Sequence, residues 1–258
     1  MKKYLFAATI LLLNITSAFA QNKKPNINIV FIGNSITQGA QLANAATEAP
    51  PATAVAYLRK QINLGTVEFS NQGHSGYTTL DFLPGEGDTF TKVEQAANAF
   101  NDKQALLIFS MKLGTNDSAI QGTHGAPVAP DTYIQNVKTI IDKLLADFPQ
   151  AVVVLQHPIW YSPNTYNGSK YLQEGLSRLQ SYIPKLDSLA ASYTATNPKH
   201  VFVGDKKAFR YFKKHHLTEL VPENGQKGIF YLHPNKTGAV SLGEFWGKAI
   251  DRVVKKLR

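Results

Sequence analysis

The strongest constraint on the fold is an alternation. Short apolar runs of strand length return again and again between longer stretches with helical spacing. Residues 27–32 (INIVFI), 105–110 (ALLIFS) and 151–155 (AVVVL) are such runs, and 66–70 and 200–203 are weaker ones. The stretches 51–61, 90–100, 130–148, 168–196 and 237–257 read as helices, the first with Pro51 near its start. In 130–148, Ile134, Val137, Ile140, Ile141, Leu144 and Leu145 recur at three- and four-residue steps, the spacing of one helix face. Pro184 predicts a break in 168–196, because proline removes a helical donor. Strands without a polar face must be covered on both sides. The alternation therefore predicts an α/β fold with a mostly parallel sheet between helical layers. Its crossovers are right-handed, and its ligands bind outside the carboxyl ends of the strands.

The chain opens MKKYLFAATILLLNITSAFA. Two lysines, a ten-residue apolar run (4–13) and small residues around Ala20 form the pattern of a secretory leader. The run is too short to span a bilayer. The expected organisation is a leader over 1–20 and one domain over 21–258, exported to the periplasm or beyond, with no stable membrane insertion after cleavage. The chain has no cysteine, so an exported fold must hold without disulfides, and a thiol nucleophile or zinc–thiolate site is excluded. The net charge is +9, spread along the sequence and densest in the last seven residues. Cations at the end of a closing helix suit its dipole. No interleaving of basic and aromatic residues points to nucleic acid.

Four strand ends carry unusual residues: Gly33-Asn34-Ser35, 71–76, 114–117 and 157–161. In a parallel sheet these converge on one rim. A serine hydroxyl attacks an ester only when a base takes its proton, and histidine is the usual base. The oxyanion that forms then needs fixed donors. Ser35 follows the first strand. Gly76 lies in NQGHSG, where a backbone amide can approach a reacting centre. Asn116 lies in LGTNDS and offers a neutral amide with two N–H groups. His233 lies in YLHPNKTG, just before a helix. Each also has a plain reading: Ser35 as a helix cap, Gly76 and Asn116 as turn residues. Their order along the chain is more specific than any one of them.

FIGNSITQG, NQGHSG, GTND and HPN resemble, in order and spacing, the four blocks of the SGNH (GDSL-type) hydrolases, from Ile29 to about Gly247. The resemblance implies a three-layer α/β/α sandwich, flavodoxin-like, around a five-stranded mostly parallel sheet. It implies ester hydrolysis through an acyl-enzyme, with Ser35 as nucleophile and His233 as base. Ser35, Gly76 and Asn116 would form the oxyanion hole, and neither metal nor organic cofactor is implied. The sequence departs from the family twice. Asn34 stands where Asp often precedes the serine. Phe230 stands three residues before His233, where an acid usually orients the imidazole. His233 then works in a Ser–His dyad, or another acid substitutes: Glu223, Glu219 or Asp205.

Trp160, Tyr161 and Tyr166 follow the fourth strand, where aromatic rings could stack on a sugar or simply pack the loop. His157 reads as a strand-end hydrogen bonder, Asp117 as a residue that fixes its loop, and His215-His216 as part of a solvated loop. The polar loops QGTHGAPVAP and YSPNTYNG suit a polar ligand better than a lipid. The resemblance therefore extends to secreted carbohydrate acetylesterases, acting on acylated small molecules or glycans. A lysophospholipase or thioesterase of the same fold, and a glycan-binding relative without catalysis, are the alternatives.

Overall fold

A computed structural model describes residues 24–258. The expected leader, 1–20, lies outside the described residues. Five strands form one parallel sheet: β1 (Ile27–Gly33), β2 (Val67–Gly73), β3 (Leu106–Lys112), β4 (Val152–Leu155) and β5 (Val201–Val203), in the order β2-β1-β3-β4-β5. Every residue of β1 is buried, as a strand covered on both faces requires. Among the described residues the helices are α1 (Ser35–Gln38), α2 (Ala45–Glu48), α3 (Pro50–Leu58), α4 (Thr89–Ala99), α5 (Pro130–Asp147), α6 (Leu172–Thr196), α7 (Ala208–Glu219) and α8 (Lys236–Leu257). The helical stripe read in the sequence on α5 is its buried face: Val137, Ile140, Ile141, Leu144 and Leu145 all enter the core.

The structure differs from the sequence reading at three elements. The expected break at Pro184 does not occur, and α6 runs through it for 25 residues. Pro184 and Gln180 face solvent, so the carbonyl that loses its helical partner lies on the wet side. His215 and His216 sit on α7 rather than in a loop. The segment after α7 is an antiparallel hairpin, β6 (Leu220–Gly225) with β7 (Gly228–Pro234), separate from the main sheet. It links α7 to α8, and β7 packs against α1.

Candidate active site

Gly33 and Gly73 are register partners at the ends of β1 and β2. A Cβ on Gly73 would meet the Gln38 backbone nitrogen at 2.3 Å, so only glycine lets the turn after β1 press against β2. Ser35 opens α1 in that turn. Asn34 caps it, its Oδ1 accepting the Ile36 N–H at 3.3 Å. The Ser35 amide is among the first of the helix, which no helical carbonyl can satisfy.

His233 ends β7. Asn235 caps α8 by accepting the Gly238 N–H at 3.0 Å, and donates through Nδ2 to Thr218 O at 2.9 Å. The turn that follows the imidazole is thus tied to both α7 and α8. Its Nε2 lies 2.9 Å from Ser35 Oγ, 198 residues away in sequence. Its Nδ1 lies 2.9 and 3.0 Å from the two Glu223 oxygens. A carboxylate can only accept, so the Nδ1 proton points to Glu223, and Nε2 is left to accept the serine hydroxyl. Glu223 also accepts from the His233 N–H and Gln41 Nε2, each at 3.3 Å. Both side chains are nearly buried, at 9% and 11% exposed. Glu223 faces Phe230 in the hairpin ladder. The acid missing from position 230 is therefore supplied from the facing strand, while the Phe230 ring fills the core. Glu219 is occupied by the Tyr211 hydroxyl, and Asp205 accepts the Lys207 and Ala208 N–H groups where the chain enters α7.

Gly76 is exposed at φ 81°, and a Cβ there would meet nothing within 4 Å, so its turn is open to a ligand. Asn116 is oriented at both ends of its amide. Nδ2 donates to Tyr77 O and Oδ1 accepts the Tyr171 hydroxyl, each at 2.8 Å. One Nδ2 hydrogen remains for a ligand. Burial raises the Tyr171 pKa, which keeps that hydroxyl a donor. Asp117 fixes the loop as expected, accepting the Thr79 N–H at 2.8 Å and the Gly114 N–H at 3.1 Å. Burial pushes its carboxyl up to about 6, against the pull of those donors. His157 pairs with Asp187 at 2.8 Å, a strand-end hydrogen bonder.

The structure does not place Trp160 and Tyr161 at the mouth. Tyr161 is 0% exposed, its hydroxyl 2.9 Å from Ser118 Oγ, and its ring packs behind Tyr171. Trp160 is 6% exposed, against the His216 ring. The hairpin covers this loop: Ser162 N donates to Tyr231 O at 2.9 Å, and Tyr231 N to Ser162 Oγ at 2.8 Å. Neither ring can stack on a sugar, so the loop-packing reading holds for both. Sequence reasoning missed Tyr171, which has no local signal, and Lys112, which reads as one residue of an apolar strand.

A serine, an imidazole and a carboxylate in this geometry can carry out acyl transfer. The model of the GDSL-like lipase/acylhydrolase family matches residues 31–239. No curated protein matches the chain. Among solved structures, a lipase/acylhydrolase from Enterococcus faecalis is similar over 87% of this chain and 95% of its own, with TM-score 0.57 and 18% identity. A carbohydrate acetylesterase from Sinorhizobium meliloti matches over 88% and 99%, with TM-score 0.58 and 16% identity. A two-domain esterase active on acetylated mannans matches over 90% of this chain and 50% of its own, with TM-score 0.54 and 15% identity. At such identities the likenesses show the fold.

Proposed function

The chain belongs to the GDSL-like lipase/acylhydrolase family, and from that premise we propose that it is an exported serine esterase removing short acyl groups, acetyl first, from carbohydrates. The observation that carries the reading is the 2.9 Å contact of His233 Nε2 with Ser35 Oγ, backed by Glu223 on Nδ1. Ser35 Oγ attacks the ester carbonyl as Nε2 takes its proton. The oxyanion is held by the N–H groups of Ser35 and Gly76 and the Asn116 amide. His233 then protonates the departing sugar hydroxyl, and a water deacylates the serine by the same route.

Support for a short acyl group and a polar alcohol is the character of the rim. Exposed polar residues adjoin the triad: Gln41 Nε2 donates to Glu223, and Ser75 N donates to Gln38 Oε1 of the Ser35 helix. The mannan esterase and the acetylesterase among its structural likenesses make acetylated glycans the first substrates to try. Export rests on the leader over 1–20, with 21–258 as the single hydrolase domain. Among the described residues no helix is long and apolar enough to cross a membrane.

The test is a chain-length series of p-nitrophenyl esters with Ser35→Ala as control, followed by acetylated glycans. Turnover is expected to be highest on acetate and to fall by at least ~10³-fold in Ser35→Ala. A preference for C8 or longer esters would overturn the acetylesterase reading. Equal activity in the variant would overturn the hydrolase reading itself.

A further inference from the structure

Lys112 ends β3 beside Gly33, its register partner at the end of β1. That places it next to the turn that holds Ser35. The side chain is 1% exposed, and lysine is almost never buried without a paired anion. Its Nζ donates to Thr115 Oγ1 at 2.6 Å and approaches Asn34 Oδ1 at 3.4 Å. Both partners are neutral. The buried charged group acting on it is Asp117, in the loop after β3. Asp117 directs its oxygens to Thr79 and Gly114 instead.

Asn34 adds an independent observation. It is fully buried, and its Nδ2 finds no partner among the described residues. A buried donor left unpaired costs about 1–3 kcal/mol. A carboxylate in its place would have no such donor and would form an ion pair with Lys112. The chain instead carries a neutral side chain next to the nucleophile and leaves the cation behind it unneutralised from that side.

We propose that Lys112 is a positioning residue for Ser35: it holds Asn34 in the capping geometry and, when protonated, keeps a positive charge beside the turn where negative charge develops on Ser35 Oγ and the oxyanion. Asn34, by staying neutral, leaves that charge available to the site. In a low-dielectric interior such a preset charge acts strongly and needs no reorganisation during reaction. The inference rests on the serine esterase reading above.

Burial pushes the Lys112 ammonium down to about 7, opposed by Asp117. Loss of its proton should therefore draw down the reaction on the alkaline side.

The test is kcat and KM on p-nitrophenyl acetate from pH 5.5 to 9 for wild type, Ser35→Ala, Lys112→Met and Asn34→Asp, using protein whose fold is checked by circular dichroism. Lys112→Met should lower kcat about ten-fold or more near neutrality, leave KM within about three-fold, and remove the wild type's alkaline decline. Asn34→Asp should lower kcat and move the alkaline decline to higher pH, because a carboxylate both neutralises the ammonium and holds its proton. It provides the answer if Lys112→Met does not fold. Wild-type kcat and pH profile in whichever folded variant is measured overturn the proposal. Full activity in Ser35→Ala overturns the esterase reading instead. An inactive Ser35→Ala beside an unaltered Lys112→Met removes only the role of Lys112.

Discussion

Glu223 meets His233 through both oxygens and is held in turn by Gln41. Under the proposed function that geometry serves as a triad, in which the carboxylate selects the tautomer and steadies the imidazolium. Glu223→Ala is expected to lower kcat by about 10²–10⁴-fold with KM little changed, read on p-nitrophenyl acetate. An unchanged kcat would return His233 to a dyad. At this scale Ser35, Gly76, Asn116 and His233 are legible because each sits in a short block whose residues are neighbours in sequence. Glu223 is not legible as more than one of three acids. Its selection depends on the hairpin register that sets it opposite Phe230, and register is decided by packing. Tyr171 escapes for a similar reason. It reaches Asn116 across 55 residues, and nothing beside it in sequence signals a partner.

The hairpin β6–β7 is the element on which the site depends most. A two-stranded ribbon is marginal on its own. This one is anchored by Phe230 and Leu232 in the core and tied to the loop after β4 through Ser162, and Asn164 Nδ2 donates to Lys227 O and Ile229 O. Phe230→Ala alters none of the candidate site side chains but removes a ring that is 1% exposed. Chemical denaturation should show a loss of about 3–5 kcal/mol, and kcat should fall as His233 and Glu223 lose their common support. A variant with wild-type stability would show that the hairpin does not lean on that ring. The central strands β1, β3 and β4 were within reach of the sequence because a run buried on both faces is largely apolar. The hairpin strands lack that signature. Val221, Pro222, Glu223, Asn224 and Gly225 are all at least partly wet, and the buried residues of β7, Phe230 and 232–234, do not form an unbroken apolar run.

At the scale of the whole molecule, charge and burial are redistributed by the fold. The cations read as spread along the chain are partly gathered. Lys206, Lys207, Arg210 and Lys214 near α7 join Lys248, Arg252 and Lys256 of α8 around two adjoining concavities of about 680 and 430 Å³. The larger adjoins the free edge of β5, and neither contains Ser35, Gly76, Asn116, Glu223 or His233. Clustered lysines on a sheet edge discourage strand pairing between molecules. In the interior, Lys112 makes stability depend on pH. Its ammonium lies near 7 in the folded chain and near 10.5 when unfolded. Between these values the unfolded chain binds a proton that the folded chain does not, so stability should rise with pH. Urea unfolding of the wild type should show a gain of at most about 1.4 kcal/mol per pH unit from pH 7 to 9, absent in Lys112→Met. Asp117, raised to about 6, has completed its own change below this window. A wild type that does not outgain the variant over this range would contradict the lowered value.

The sequence by itself determined the parallel sheet, the stripe on α5 and the four blocks that carry Ser35, Gly76, Asn116 and His233. These are patterns of a few adjacent residues, and the backbone period alone turns them into faces, turns and strand ends. Only the tertiary structure decided that Glu223 orients His233, that Tyr171 orients Asn116, that Lys112 lies beside the turn that holds Ser35, and that Trp160 and Tyr161 are packing rather than platform. Each of these is a contact between distant segments. Its existence depends on which surfaces exclude water from one another, a free energy that belongs to the assembled core and not to any stretch of the chain.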